Sequence, residues 1–159
     1  MSLNTPSNKP IDGGGYRIAI VAARYNEELV DSLVREASSS LKAAGVKALL
    51  IERATGSAEL PFAASLLATS GEFDAIITIG MVIAGSTQHH KIIGDSTAIA
   101  LQELSMESGL PIINGIIVAE NQEQAAARAG TTINRGKEFA EAALEMAALS
   151  KKWTTKQNP

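Results

Sequence analysis

The chain has 159 residues, of which 45% are hydrophobic and 19% charged, with a formal net charge of −3. This composition excludes a disordered chain and suits one globular domain, while the acidic balance argues against a surface built for polyanionic nucleic acid. With no cysteine, disulfides, thiolate nucleophiles and iron–sulfur clusters are excluded, and two imidazoles, His89 and His90, are too few for a multi-histidine metal site within one subunit.

Residues 1–10 are polar, carry Pro6 and Pro10, and lack the apolar core of a signal peptide. Gly13, Gly14 and Gly15 follow, so residues 1–15 read as a flexible arm. Regular patterning starts at Tyr16. Residues 17–22 are a short apolar run of the kind a buried strand shows. Asn26 reads as the N-cap of a helix, with Glu27 and Glu28 matched to the positive end of its dipole. Leu29, Leu33, Ala37, Leu41 and Ala44 continue at helical spacing, and Gly45 ends the run. Residues 46–52 predict a second strand. Pro61 suits a first helical turn, and a helix over 62–70 closes at Gly71. Residues 74–80 predict a third strand, and 96–108 a helix before Gly109 and Pro111. Residues 111–119 make the fourth strand, with helices over 122–129 and 136–149 and a polar tail over 151–159. The longest apolar stretches, such as 75–84, fall short of the about 20 residues that span a bilayer. A soluble, cytoplasmic protein with no membrane partner is expected.

Strands alternating with helices predict an α/β fold: a three-layer αβα sandwich on a four-stranded parallel, flavodoxin-like sheet, in a single domain over 16–150. In such sheets ligands bind beyond the carboxyl ends of the strands. Arg24, Tyr25 and Asn26 follow the first strand, and residues 55–61 the second. Residues 80–91 follow the third, and Glu120 and Asn121 the fourth, with Asn114 grouped beside them.

Each feature at this rim has a structural and a functional reading. Gly85, Ser86 and Thr87 form either an ordinary turn or a cradle of N–H groups and hydroxyls for a phosphate. His89 is either an inert surface histidine or a proton shuttle near neutral pH. Glu59 either compensates a helix dipole or meets a polar heterocycle. Tyr25 either caps the core or stacks on such a ring. Arg128 either suits a helix C-terminus or grips phosphate with its guanidinium fork. Spacing alone does not choose between these readings.

Several motifs in one order resemble the lumazine synthase family. Gly56-Ser57-Ala58-Glu59-Leu60-Pro61 is similar to its Gly-Ala-x-Glu-Ile-Pro segment. Residues 74–83, followed by Gly85-x-Thr87-x-His89, resemble its central motif. Asn114-Gly115, residues 120–125 and Arg128-Ala129-Gly130-Thr131 are similar to its C-terminal part. The likeness runs from about Tyr16 to Leu149.

The resemblance implies a transferase of riboflavin biosynthesis without metal or organic cofactor. It would condense 5-amino-6-(D-ribitylamino)uracil with 3,4-dihydroxy-2-butanone 4-phosphate to 6,7-dimethyl-8-ribityllumazine. It implies proton transfer by His89 and phosphate binding by Ser86, Thr87 and Arg128. Tyr25 and Asn26 would meet the pyrimidine substrate, with Tyr25 stacking on the ring. Ser57, Ala58 and Glu59 would contact the ribityl chain, and Met81, Val82 and Ile83 would line the pyrimidine. Asn114 would come from a neighbouring subunit, since family sites lie between subunits of a homopentamer. The resemblance also implies larger forms of the pentamer, a stacked decamer or a closed 60-subunit capsid.

Two departures stand out. The family usually has Arg before the loop glycine, where this chain has Ala84, and follows its histidine with an aromatic and an acid, where this chain has His90 and Lys91. These changes imply a retuned or weakened loop. They also leave room for a degenerate relative that binds a ribityl-lumazine or flavin without catalysis, or for a shell-forming scaffold. Exposed sheet edges and the alanine-rich stretches 125–129 and 140–148 point to packing in a homo-oligomer.

Overall fold

The computed structural model describes residues 10–154. The chain runs β1 (Arg17–Ala23), α1 (Glu27–Ala43), β2 (Ala48–Ala54), a single 3-10 turn (Ser57–Glu59) and α2 (Leu60–Ser70). It continues through β3 (Ala75–Ile83), α3 (His89–Ser108), β4 (Ile112–Ala119), α4 (Gln122–Ala129) and α5 (Arg135–Thr154). The four strands pair in the order β2-β1-β3-β4, all parallel. This is the expected α/β sandwich around a four-stranded sheet.

Side chains alternate across the sheet, and the two faces are covered unequally. Ile18, Ile20 and Ala22 of β1 and Ile77, Ile79 and Met81 of β3 meet α1, α4 and α5. Ala19 and Val21 of β1 and Ile76 of β3 meet α2 and α3 through Leu60, Ala64 and Leu101. Each fully buried Ile or Leu contributes about 1.5–3 kcal/mol, so the larger cluster supplies most of the stabilisation. Ala125, Ala129, Ala140, Ala143 and Ala147 are buried in that cluster. These five alanines of α4 and α5 therefore pack within this chain, while Ala126 and Ala127 are exposed.

Helix ends follow local chemistry where glycine decides them. Gly45, Gly71 and Gly109 all have positive φ, at 75°, 68° and 66°, and each follows a helix. Other boundaries differ from the sequence expectation. β2 covers 48–54 rather than 46–52, because Lys47 N already bonds Tyr16 O and pairing starts at Ala48. β3 continues three residues past Gly80, its last residues paired with Ile117, Val118 and Ala119. α3 begins at His89 rather than Ser96, although Gly94 and the β-branched Ile92 and Ile93 weaken the helical signal there. Tertiary contact overrides propensity, since a Cβ on Gly94 would come within 2.8 Å of Val118 on β4. α5 extends to Thr154, into the predicted polar tail.

Most of the expected N-terminal arm, and residues 155–159 of the tail, lie outside the described residues. From residue 10 onward the chain is held. Gly13 N donates to Ala44 O at 2.8 Å, and a Cβ there would meet Ala44 O at 2.9 Å. Among the described residues, no helix is long and apolar enough to cross a membrane.

Candidate active site

The carboxyl ends of β2, β1 and β3 are adjacent, so the segments that follow them share one rim. The exit from β1 is stitched to β2: Arg24 N donates to Ala54 O at 3.0 Å, and Arg24 Nη2 donates to Thr55 Oγ1 at 3.2 Å. Tyr25 comes next, exposed, with its ring against Gly56. A Cβ on Gly56 would lie 3.2 Å from Tyr25 Cδ2 and 3.0 Å from Glu59 Oε2. The glycine thus lets a phenol ring and a carboxylate close on one spot.

Ser57 is buried, and its hydroxyl lies against the α-carbon of Gly80 in β3. Gly80 interrupts a β-branched strand, a pattern that signals close approach of another group, and Ser57 is that group. Ala58 and Glu59 complete the 3-10 turn and are exposed.

Asn26 does not cap α1 with its side chain. It sits at φ 56°, in the left-handed region, and its Nδ2 donates to Met81 O at 2.8 Å. β1 pairs with β3 only as far as Ile79, so the amide side chain continues the sheet's bonding where the strand has ended. Tyr25, Asn26, Ser57 and Glu59 are thereby gathered around the end of β3. Met81, Val82 and Ile83 belong to β3 itself, not to the loop after it. Met81 is buried, while Val82 and Ile83 are half-buried.

Ala84 N donates to Ala119 O at 2.8 Å, which ties the next loop to the end of β4. Gly85, Ser86, Thr87 and Gln88 are exposed, and His89 is the exposed first residue of α3. The first turn of α3 carries His89, His90 and Lys91 and no acid. The positive end of a 20-residue helix, two exposed hydroxyl residues and the exposed His89 lie at the same rim, an arrangement that favours an anion. His90 is buried, and its Nδ1 donates to Thr87 O at 3.0 Å.

Two expected residues stand apart. Asn114 lies inside β4 rather than at its end, opposite Thr78, with its Oδ1 accepting from Ile116 N at 3.0 Å. Arg128 is in the last turn of α4, on the sheet face opposite α3, and its Nη1 donates to Gln124 O at 3.0 Å. Among the described residues no hydrogen bond joins either side chain to residues 85–89. Arg135 is engaged by Glu138. A groove of about 760 Å³, lined by Ile11, Ala44, Lys137 and Leu144, lies between α1 and α5 and contains none of these residues.

The family model described as 6,7-dimethyl-8-ribityllumazine synthase matches residues 15–151. The chain belongs to this family. Its relatives include lumazine synthases of Thermococcus kodakarensis, 37% identical over 91% of this chain and 93% of the relative, and Thermococcus onnurineus, 39% identical over 88% and 92%. The Pyrococcus furiosus lumazine synthase is 38% identical over 88% of each chain. The lumazine synthase match spans all four strands, and so includes every segment of the rim.

Proposed function

We propose that this chain is a 6,7-dimethyl-8-ribityllumazine synthase of riboflavin biosynthesis, a transferase working through one domain over residues 16–150. It condenses 5-amino-6-(D-ribitylamino)uracil with 3,4-dihydroxy-2-butanone 4-phosphate. The amine attacks the ketone, and water leaves to give a Schiff base. The phosphate then departs, and ring closure releases a second water.

The observation that carries this reading is the juxtaposition of two differently equipped segments on one rim. The aromatic and carboxylate cluster of Tyr25, Gly56 and Glu59 follows β1 and β2, and the polar turn of residues 85–89 follows β3, the strand beside β1. A pyrimidine on the first and a phosphorylated ketone on the second would present amine to carbonyl with little freedom left to lose. Tyr25 stacks on the pyrimidine, and Asn26 fixes the chain beneath it. Ser57, Ala58 and Glu59 meet the ribityl hydroxyls. Met81, Val82 and Ile83 form the floor.

Ser86 and Thr87, with the head of α3, hold the phosphate, and His89 moves protons between amine, carbinol and leaving groups. Arg128, which stands apart from this turn within one chain, adds a cation to the phosphate from a neighbouring copy, which also supplies Asn114. The assembly is a homopentamer, with decamers and 60-subunit capsids as its larger forms, in the cytoplasm. Exposed Phe62, Leu66, Ile92, Ile99 and Met106 on α2 and α3 support the oligomer.

The test is incubation of the purified protein with both substrates, read by product absorbance; no product would overturn the reading. His89→Ala should slow turnover about 100-fold while circular dichroism stays unchanged, because the side chain is exposed and supports no packing. Wild-type turnover in that variant would remove His89 from the proton path.

A further inference from the structure

We propose that His90 is a positioning residue for the phosphate-holding turn, acting through its Nδ1–H on the Thr87 carbonyl; this rests on the condensation reading above. His90 is 8% exposed. It shares a helix face with Gly94, Thr97 and Leu101, and Gly94 on that face contacts Val118 of β4. The ring is therefore anchored between helix and sheet, directly behind the exposed turn.

The hydrogen bond fixes more than the ring. A carbonyl oxygen only accepts, so at 3.0 Å from Thr87 O the Nδ1 atom carries the proton. The backbone does not supply Thr87 O with a partner of its own. Lys91 N and Ile92 N, the first helical donors, both go to Gln88 O. The imidazole is thus what holds the Thr87 carbonyl inward. In a planar trans peptide the carbonyl and the following N–H point in opposite directions. Holding Thr87 O inward turns the Gln88 N–H outward, to the side where the residues of the turn are exposed. Among the described residues that N–H has no acceptor, so it is available to an anion.

The other ring nitrogen argues that packing alone does not explain the residue. Nε2 is buried without a hydrogen-bond partner. Whether it acts there as an acceptor or a donor, a buried polar atom left unsatisfied is unfavourable. An apolar aromatic ring would fill this space without that cost. What the imidazole adds is the Nδ1 donor.

Three substitutions separate the two roles. His90→Asn keeps a donor near the Nδ1 position, His90→Gln places its amide near Nε2, and His90→Phe keeps a ring and removes both nitrogens. Each is compared with wild type by steady-state kinetics with both substrates varied, and by 31P NMR titration with inorganic phosphate. Losing one positioned hydrogen bond predicts a rise of about five- to tenfold in KM for the ketone phosphate, and in Kd for inorganic phosphate, in the Phe and Gln variants. Asn should stay within about twofold of wild type, and KM for the pyrimidine should be unchanged in all three. Wild-type phosphate affinity in the Phe variant, or equal damage from Asn and Gln, overturns the inference. If Phe does not fold, the Asn-to-Gln ratio decides. A wild-type protein that binds phosphate but forms no product overturns the condensation reading and leaves the phosphate comparison valid. One that binds no phosphate overturns the inference itself.

Discussion

Gly56 governs the rim by what it lacks. Its backbone is extended, at φ −145°, so alanine meets no conformational strain there. Space is the only obstacle, since the added methyl would press on Glu59 Oε2 and the edge of the Tyr25 ring. Both are the free ends of exposed side chains, so the fold accommodates the change while the two groups splay apart. Gly56→Ala should therefore melt near the wild-type temperature and lose about ten- to a hundredfold in kcat/KM for the pyrimidine substrate, the effect of a displacement of about 1 Å in a positioned site. Unchanged kcat/KM would show that Tyr25 and Glu59 do not act from these positions. At this scale the sequence is informative about residue type and silent about direction. Tyr25, Ser57 and Glu59 are conspicuous because they follow strand ends. Asn26 stands at the N-cap of α1 as the sequence predicts, but its side chain does not cap, since asparagine is favoured both as a helix cap and in the left-handed region. Only the nearness of Met81 O, 55 residues away, selects the second role.

Elements are legible where a local signal ends them and obscure where a neighbour does. Glycines at 45, 71 and 109 mark helix ends correctly because positive φ is a property of the chain itself. The start of α3 depends on Val118 and Thr87, and the length of β3 on its pairing with β4, neither of which periodicity can register. The docking of α5 is a further case. Asn134 Nδ2 donates to Glu36 Oε2 at 2.8 Å and Asn134 Oδ1 accepts from Lys137 N at 3.0 Å, so one side chain both caps α5 and ties it to α1. Gly136 follows, and a Cβ on it would collide with Leu33 O and reach Glu36 Cβ at 2.9 Å and Ala37 N at 3.1 Å. Alanine in place of a helical glycine normally gains about 1 kcal/mol. Here the obstacles are mostly backbone of α1, which cannot swing aside, and overpacking of this kind costs about 1–3 kcal/mol. Gly136→Ala should lower the urea midpoint, by up to about 2 kcal/mol of unfolding free energy with the m-value unchanged. A higher midpoint would mean that α1 and α5 do not approach this closely.

On the scale of the whole molecule, the two sheet faces finish differently. The layer of α1, α4 and α5 buries one face of each helix and exposes large apolar residues, Met146, Leu149 and Trp153, only towards the end of α5. The layer of α2 and α3 turns several outward. Ile92, Ile99 and Met106 recur every seven residues along α3 and are 62%, 58% and 76% exposed. Residues seven apart fall on one side of a helix, so the three form a continuous line, and Phe62 and Leu66 make a second line one turn apart on α2. Of the alanine stretches that the sequence marks for assembly, Ala125, Ala129, Ala140, Ala143 and Ala147 are buried inside the chain, whereas the exposed line begins at Ile92, ahead of the helix that the sequence predicts. A contiguous apolar line is the kind of exposure that marks interaction surfaces, and it supports the proposed oligomer. In the proposed homo-oligomer this line faces another copy, and a neighbour would supply Asn114 to complete the condensation site. Ile99→Asp combined with Met106→Asp places charges along that line and touches no residue of the rim. Wild type should sediment as an assembly and the double variant as the 16.6 kDa chain, with activity falling in proportion to the dissociated fraction. A variant that keeps the wild-type sedimentation coefficient would move the interface off α3. A dissociated chain with full activity would place the whole site within one subunit and leave Asn114 without a role in it.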